Sequence, residues 1–214
     1  MDVIWHGHAC FEVRGAGKTL VFDPHDGSAI GIKPPSCRAD VVTVSHRCCG
    51  HSAVEFVKGN HINIVEEGGE FRFGNLELHG FRMSPDSECP VDSGGNTIYL
   101  AKAEGISLCR CGGLCKLPPE DVMKNLVGKV DVLFAPVGEF RTLDLKRLSV
   151  FIEKVGPTVV VPMMYRTGAS TLPMNPLDDF LSTVDGDSVM RVGSRVELTK
   201  DDLPDMAGYW IFER

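Results

Sequence analysis

The feature that most constrains the fold of this sequence is a change in its pattern of secondary-structure elements about halfway along the chain. Short β-rich runs separated by turns come first, and helical and β-rich segments then alternate. The predicted strands are residues 3–5, 10–13, 19–22, 40–45, 62–65, 70–73, 76–80, 97–101, 106–108, 131–135, 158–162, 189–192 and 208–212. The predicted helices are residues 52–57, 119–126, 143–155 and 177–184. This order predicts an α/β protein in which two sheets pack face to face with helices outside.

Length and composition restrict the function classes. The 214 residues fit a single domain, 1–214, with 43% hydrophobic and 24% charged residues. The formal net charge of −7 disfavours sequence-independent binding of nucleic acid, because an acidic surface repels phosphate groups. No apolar run is long enough to span a membrane, and the first residues do not resemble a signal peptide. We therefore expect a cytoplasmic protein, in which clustered cysteines bind metal or react more often than they form disulfides.

The stretch VVTVSHRCCGHSAVEF, residues 41–56, places metal-binding side chains directly after a buried strand. His46, Cys48 and His51 follow that strand within one short loop, and ends of strands are common positions for sites. Imidazole and thiolate ligands suit a soft or borderline metal. The alternative is a pair of structural histidines beside buried cysteines. Cys49 is a reserve ligand, because adjacent side chains on a turn point apart.

The stretch GISLCRCGGLCKLPPED, residues 105–121, contains three closely spaced cysteines. Cys109, Cys111 and Cys115 begin at a predicted strand end, and the glycines between them allow close approach to a ligand. Such spacing favours a thiophilic metal or an iron–sulfur cluster over inert packing, although it is not a standard ferredoxin pattern.

The segments WHGHACFEV, KTLVFDP, ADVVTVSH, GGNTIYL, EGISLC, KVDVLFAPVG and VVVPMMY occur in this order along nearly the whole chain. Together they resemble the metallo-β-lactamase superfamily, and within it the ascorbate-6-phosphate lactonase-like zinc-dependent hydrolases. The resemblance implies a four-layer αββα sandwich with a metal site at one edge. It also implies that His8 and Asp23 lie beside the ligands, and that Met164 and Tyr165 lie at the rim of the site.

The sequence departs from this family at the metal ligands. Where the family has His-x-His-x-Asp-His, the chain has His46, Cys48, Gly50 and His51. The family's His-Asp pair after a later strand corresponds to Pro85-Asp86, and its final Pro-Met-His-Tyr ends here with Met164-Tyr165. The family's bridging aspartate corresponds to Gly112, after Cys109-Arg110-Cys111. The usual two-zinc chemistry, which activates water between paired metals, is therefore not expected.

We predict that a cysteine-rich centre replaces the two zinc ions. Four thiolates, from Cys109, Cys111, Cys115 and either Cys48 or Cys49, match the number that holds an iron–sulfur cluster, with a redox, sensing or non-hydrolytic role. The alternatives are a mononuclear zinc hydrolase of lactone or phosphoester type, and an inactive scaffold that binds a ligand or partner. His25 is expected at the surface. The sequence leaves open the substrate, the redox partner and the oligomeric state.

Overall fold

The computed structural model describes residues 1–84, 95–168 and 170–213. The strands of these residues, in chain order, are β1 (Asp2–Gly7), β2 (Cys10–Gly15), β3 (Lys18–Phe22), β4 (Cys37–Arg38), β5 (Val41–Thr43), β6 (Val57–Lys58), β7 (Asn63–Val65), β8 (Gly69–Phe73), β9 (Leu76–Met83), β10 (Asn96–Ala103), β11 (Ile106–Arg110), β12 (Val132–Pro136), β13 (Val159–Met163), β14 (Val189–Val192), β15 (Arg195–Glu197) and β16 (Gly208–Phe212). The α-helices are α1 (Glu120–Leu126), α2 (Leu145–Val155) and α3 (Leu177–Leu181).

The strands form two large sheets and a small ribbon. The six-stranded sheet has the order β15-β1-β2-β3-β5-β7, and the eight-stranded sheet has the order β14-β16-β13-β12-β11-β10-β9-β8. One hydrophobic core joins them: Phe11 and Phe22 of the first sheet contact Phe134 of the second, with ring centroids 4.6 and 6.0 Å away. The predicted mixed α/β sandwich is therefore confirmed.

The helices follow from local sequence signals in the second half. Asp144 caps α2 by accepting a hydrogen bond from the backbone N–H of Arg147 at 2.7 Å. The helix ends at Gly156, whose φ of 64° is easily adopted by glycine. Leu148, Phe151 and Val155 of α2 are fully buried in the main core. No helix in the described ranges is long and apolar enough to cross a membrane.

The outer face of the six-stranded sheet differs from the expected helical layer. The ribbon of β4 and β6 lies there, and its Cys37 and Val57 pack with Cys10, Val42 and Val44 in a second, smaller core. The predicted helix at residues 52–57 is instead a 3₁₀ turn at Val54–Phe56 followed by β6. Val57 pairs with Cys37, so pairing with a neighbouring strand overrides the weak helical signal.

Candidate metal centre

The candidate site lies where loops from both sheets meet, at the carboxyl ends of parallel strands. β3 and β5 are parallel neighbours in the first sheet, and β11, β12 and β13 are parallel neighbours in the second. The loop after β5 carries His46, Cys48 and His51, and the loop after β11 carries Gly113. A Cβ atom on Gly113 would lie 2.9 Å from Cε1 of His46, so the two loops are in contact. The two cysteine-rich segments therefore meet at this edge, where α/β sheets commonly bind ligands.

Three of the predicted ligands form a compact group. The potential ligand atoms of His46, Cys48 and His51 all lie within 4.8 Å of one another. Nε2 of His46 is 3.5 Å from Sγ of Cys48, and the rings of His46 and His51 have centroids 4.2 Å apart. The backbone N–H groups of His51 and Ser52 both donate to the carbonyl oxygen of Cys48 at 2.9 Å. This tight turn brings the three side chains to one point.

Hydrogen bonds on the far side of each ring fix which imidazole nitrogen faces the group. The hydroxyl of Ser45 donates to Oδ2 of Asp23 at 2.8 Å, so its oxygen accepts from Nδ1 of His46 at 3.0 Å. Oδ2 of Asp23 also accepts from Nδ1 of His51 at 3.0 Å. With a proton on each Nδ1, both Nε2 atoms present lone pairs. This arrangement orients metal-binding histidines in many proteins.

A fully buried ion pair supports these hydrogen bonds. Arg110 and Asp23 are both completely inaccessible to solvent, and their closest atoms, Nη2 and Oδ2, are 2.8 Å apart. Burial alone would raise the pKa of Asp23, but Arg110 and His51 outweigh it and hold the pKa well below its usual value. Asp23 is therefore an anion that organises Ser45, His51 and Arg110.

The donor set fits a zinc ion. In a tetrahedral site, zinc binds imidazole nitrogen at about 2.0–2.1 Å and thiolate sulfur at about 2.3 Å, which separates these ligand atoms by about 3.5 Å. The observed distance between Nε2 of His46 and Sγ of Cys48 is also 3.5 Å. Two nitrogens and one sulfur suit zinc better than magnesium or calcium, which prefer oxygen ligands.

The protonation states of two ligands follow from their burial. Burial and the neighbouring His51 lower the pKa of His46 to about 3, so its imidazole is neutral and ready to bind a metal. Burial raises the pKa of the Cys48 thiol to about 11 in the metal-free protein. A metal would have to displace the thiol proton, as is usual when cysteine becomes a ligand.

A small cavity of about 160 Å³ opens onto the group. Its walls include His8, Phe140, Arg141 and Met164, together with the three candidate ligands. Nδ1 of His8 is buried and makes no hydrogen bond within the described ranges, and burial is the main cause that lowers the pKa of His8 well below its usual value. A neutral imidazole with an unsatisfied nitrogen therefore lies beside the candidate metal position.

The remaining predicted cysteines lie apart from this group. The strand β11 extends through Arg110, two residues further than predicted, so Cys109 pairs with Leu133 inside the sheet. Successive side chains of a strand point to opposite faces, and Arg110 points to Asp23, so Cys109 points away from the site. Cys111 is likewise buried in the main core. Contrary to prediction, Cys115 is disulfide-bonded and offers no thiolate ligand.

The other predicted neighbours of the ligands occupy several positions. His8 and Met164 line the cavity, and the exposed Cys49 lies at its edge. Tyr165 is buried and does not line this cavity, and its hydroxyl donates to the carbonyl oxygen of Phe212 at 3.4 Å. Asp23 contacts His51 directly, as the resemblance implied.

Gly112 stands where the resemblance places the bridging carboxylate, and a Cβ atom there would meet Asn96 and Ser45. Gly113, the next residue, faces the ring of His46. Neither glycine offers a carboxylate. Pro85 and Asp86, where the family has another ligand pair, lie outside the described residues.

Sequence reasoning missed two residues of the centre and misplaced a third. Arg110 was treated only as a spacer between cysteines, although an arginine directly after a buried strand segment was a signal of a buried ion pair. Ser45, the last residue of the predicted strand, had no distinctive signal. His25 was predicted at the surface, and this is wrong: it is fully buried, with Nε2 3.3 Å from the carbonyl oxygen of His6.

Known proteins are similar to this chain over most of its length. The family model described as a β-lactamase superfamily domain matches residues 2–164. A UPF0173 metal-dependent hydrolase of Anoxybacillus flavithermus is 25% identical over 228 residues, covering 92% of this chain and 100% of that protein. A UPF0173 metal-dependent hydrolase of Thermoplasma acidophilum is 25% identical over 193 residues, covering 78% and 84% of the two chains.

Solved structures with the same fold include metal-dependent hydrolases. A candidate zinc-dependent hydrolase of the metallo-β-lactamase superfamily from Thermotoga maritima superposes with a TM-score of 0.82 and 31% identity, covering 99% of this chain and 98% of that one. Igni18, a metallo hydrolase from Ignicoccus hospitalis, has a TM-score of 0.67 at 16% identity, covering 99% and 94%, and shows the shared fold alone. The family match over most of the chain and this structural relative show that the chain belongs to the metallo-β-lactamase superfamily.

Proposed function

We propose that this protein is a hydrolase that uses a single zinc ion held by His46, Cys48 and His51. The observation that carries the proposal is the convergence of these three side chains within 4.8 Å beside a cavity. Relatives of similar length are named metal-dependent hydrolases, which supports the same chemistry. A zinc ion held by these three residues would supply an activated water and would polarise the bond under attack.

The residues around the ligands have separate roles in this proposal. Asp23 and Ser45 hold the two imidazoles with Nε2 facing the cavity. His8, a neutral imidazole on the cavity wall, is placed to exchange a hydrogen bond with a substrate. Phe140 and Met164 give the cavity apolar walls that limit access of bulk water.

The substrate proposed is a small anionic ester, such as a phosphoester or a lactone that carries an acidic group. Arg47 and Arg141 lie at the edge of the cavity, in a chain whose net charge is −7. Arg47 is paired with Glu66, whereas Arg141 lies over the ring of Phe140, 5.4 Å from its centroid. Arg141 therefore offers a positive charge that would favour an anionic substrate over a neutral one.

The test uses purified protein loaded with one equivalent of zinc and a panel of lactones and phosphoesters. We expect zinc-dependent turnover of at least one anionic substrate, lost in Cys48→Ser and retained in Cys49→Ser, the matched control on the adjacent residue. Arg141→Gln is expected to raise KM more for anionic than for neutral substrates. If Cys48→Ser retains both stoichiometric zinc and full turnover, the proposed ligand set is wrong.

An iron–sulfur cluster has weaker support from the structure than zinc. The proposed set of four thiolates needs Cys109, Cys111 and Cys115, but two of these lie in the core and the third is disulfide-bonded. Anaerobic reconstitution followed by iron and sulfide analysis distinguishes the two, because only a cluster protein would take up both elements above the level of Cys111→Ser. An inactive scaffold would take up neither iron and sulfide nor a stoichiometric zinc ion.

A further inference from the structure

A second group of metal-binding side chains lies on the outer face of the six-stranded sheet. The potential ligand atoms of His6, Glu12 and Cys37 all lie within 4.8 Å of one another. These residues come from β1, β2 and β4, and none of them belongs to the centre formed by His46, Cys48 and His51.

The backbone explains how the three side chains reach the same face. Phe11 and Val13 of β2 enter the main core, so Glu12 between them points to the opposite face of the sheet. His6 lies where the pairing of β1 with β2 changes register, between Trp5 and Gly7, and its Nε2 is 2.8 Å from Oε2 of Glu12. The ribbon strand β4 then brings Cys37 over the same face, where it packs with Cys10.

Glu12 is an unusual residue for this position. Its side chain is only 1% exposed, and carboxylates are rarely buried unless they are paired or bind a metal. Oε1 is 2.6 Å from Nε of Arg14, while Oε2 is 2.8 Å from Nε2 of His6. Arg14 therefore occupies one oxygen and leaves the other for the group that contains His6 and Cys37.

The distance between the ligand atoms of His6 and Glu12 needs little change for the group to hold a metal ion. Ligand atoms about 2.0–2.2 Å from a tetrahedral zinc ion lie about 3.4 Å apart. The pair formed by His6 and Glu12 is at 2.8 Å, so it would have to open by well under 1 Å. The imidazole of His6 is 14% exposed, so solvent reaches one side of the group.

A second thiol near the group and a groove open to solvent agree with a metal site. The thiols of Cys10 and Cys37 are both free and both buried, and the two residues belong to the same small core, so a second sulfur lies near the group. Glu12 and Cys37 line an open groove of about 870 Å³, whose wall also includes His61. The groove therefore connects the buried Glu12 and Cys37 with solvent, past the side chains of Arg14, Lys18, Arg38 and Lys58 that also line it.

We propose that His6, Glu12 and Cys37 bind a second, structural zinc ion that fastens β4 to β1 and β2. Nitrogen, oxygen and sulfur are all ligands that zinc accepts, and water would complete four-coordination. The ion would lie on the opposite face of the six-stranded sheet from the main core. This second site does not depend on the proposed hydrolase function.

Cobalt(II) tests the proposal, because a bond between cobalt and thiolate gives an intense near-ultraviolet band. The measurement uses reduced, metal-free protein in which Cys48→Ser removes the thiolate of the first centre. We expect this variant to show the band on titration with cobalt, to keep it in Cys48→Ser/Cys49→Ser, and to lose it in Cys48→Ser/Cys37→Ser. His6→Gln in the Cys48→Ser background should weaken cobalt binding at least tenfold while circular dichroism stays unchanged.

Other outcomes of the cobalt titration would contradict the second site. Absence of a thiolate band in Cys48→Ser, or its persistence in Cys48→Ser/Cys37→Ser, would overturn the second site. The single variant Cys37→Ser keeps the first centre intact and should still bind one equivalent of cobalt with a thiolate band. Loss of binding in Cys48→Ser and retention in Cys37→Ser would therefore reject the second site and leave the hydrolase proposal standing.

Discussion

Replacing Arg110 by methionine should destabilise the protein strongly, because it leaves Asp23 as a buried charge without its ionic partner. Arg110 and Asp23 are both fully inaccessible, with 2.8 Å between Nη2 and Oδ2. Breaking a buried ion pair costs about 3–5 kcal/mol of unfolding free energy. Asp23 keeps three donors, from the backbone and hydroxyl of Ser45 and from His51, so we expect a loss near the lower limit, about 3 kcal/mol.

Urea denaturation of the metal-free protein measures this loss without a contribution from bound zinc. With a denaturant dependence of about 2–3 kcal/mol per molar, the midpoint should fall by about 1–1.5 M. Arg191→Met is the matched control, because Arg191 forms an exposed ion pair with Glu213. Its loss should cost about 0–1 kcal/mol. Equal effects of the two substitutions would refute the reasoning that the buried pair organises the site.

Two further substitutions test how the centre is built. Asp23→Asn removes the negative charge that orients His51 through Nδ1. Zinc affinity, measured by competition with a chelating dye, should therefore fall about 10–100-fold. An unchanged affinity would exclude an orienting role for Asp23. Gly113→Ala places a methyl group 2.9 Å from Cε1 of His46 and should displace that ring. Zinc affinity should therefore fall, with little change in the free energy of unfolding. The control is Gly168→Ala, whose added Cβ has no heavy atom within 4 Å, and it should change neither zinc affinity nor the free energy of unfolding.

Much of the fold could be predicted because the hydrophobic pattern of the strands is local. The buried runs in β5, β12 and β13 are almost entirely apolar, and each strand was placed within a few residues. The strands β4 and β6 were not predicted, because each contains only two residues and depends on the other for pairing. Their position over the outer face of a sheet is a tertiary property that local pattern does not encode.

The candidate site could be predicted only in part, for a related reason. His46, Cys48 and His51 lie in one loop, so their spacing along the chain was enough to suggest a shared metal. The roles of Cys109 and Arg110 depended on where β11 ends, and a shift of a single residue exchanges the two faces of a strand. The strand continues through Arg110, so the arginine reaches Asp23 and Cys109 lies in the core.

The central claim is that one zinc ion is bound by His46, Cys48 and His51, and X-ray absorption at the zinc edge tests it most directly. The sample is Cys37→Ser with one equivalent of zinc, so that the proposed second site does not contribute. We predict one sulfur at about 2.3 Å and nitrogen or oxygen neighbours at about 2.0–2.1 Å, with the sulfur lost in Cys48→Ser/Cys37→Ser. A shell of several sulfurs, or a sulfur that persists without Cys48, would contradict the account.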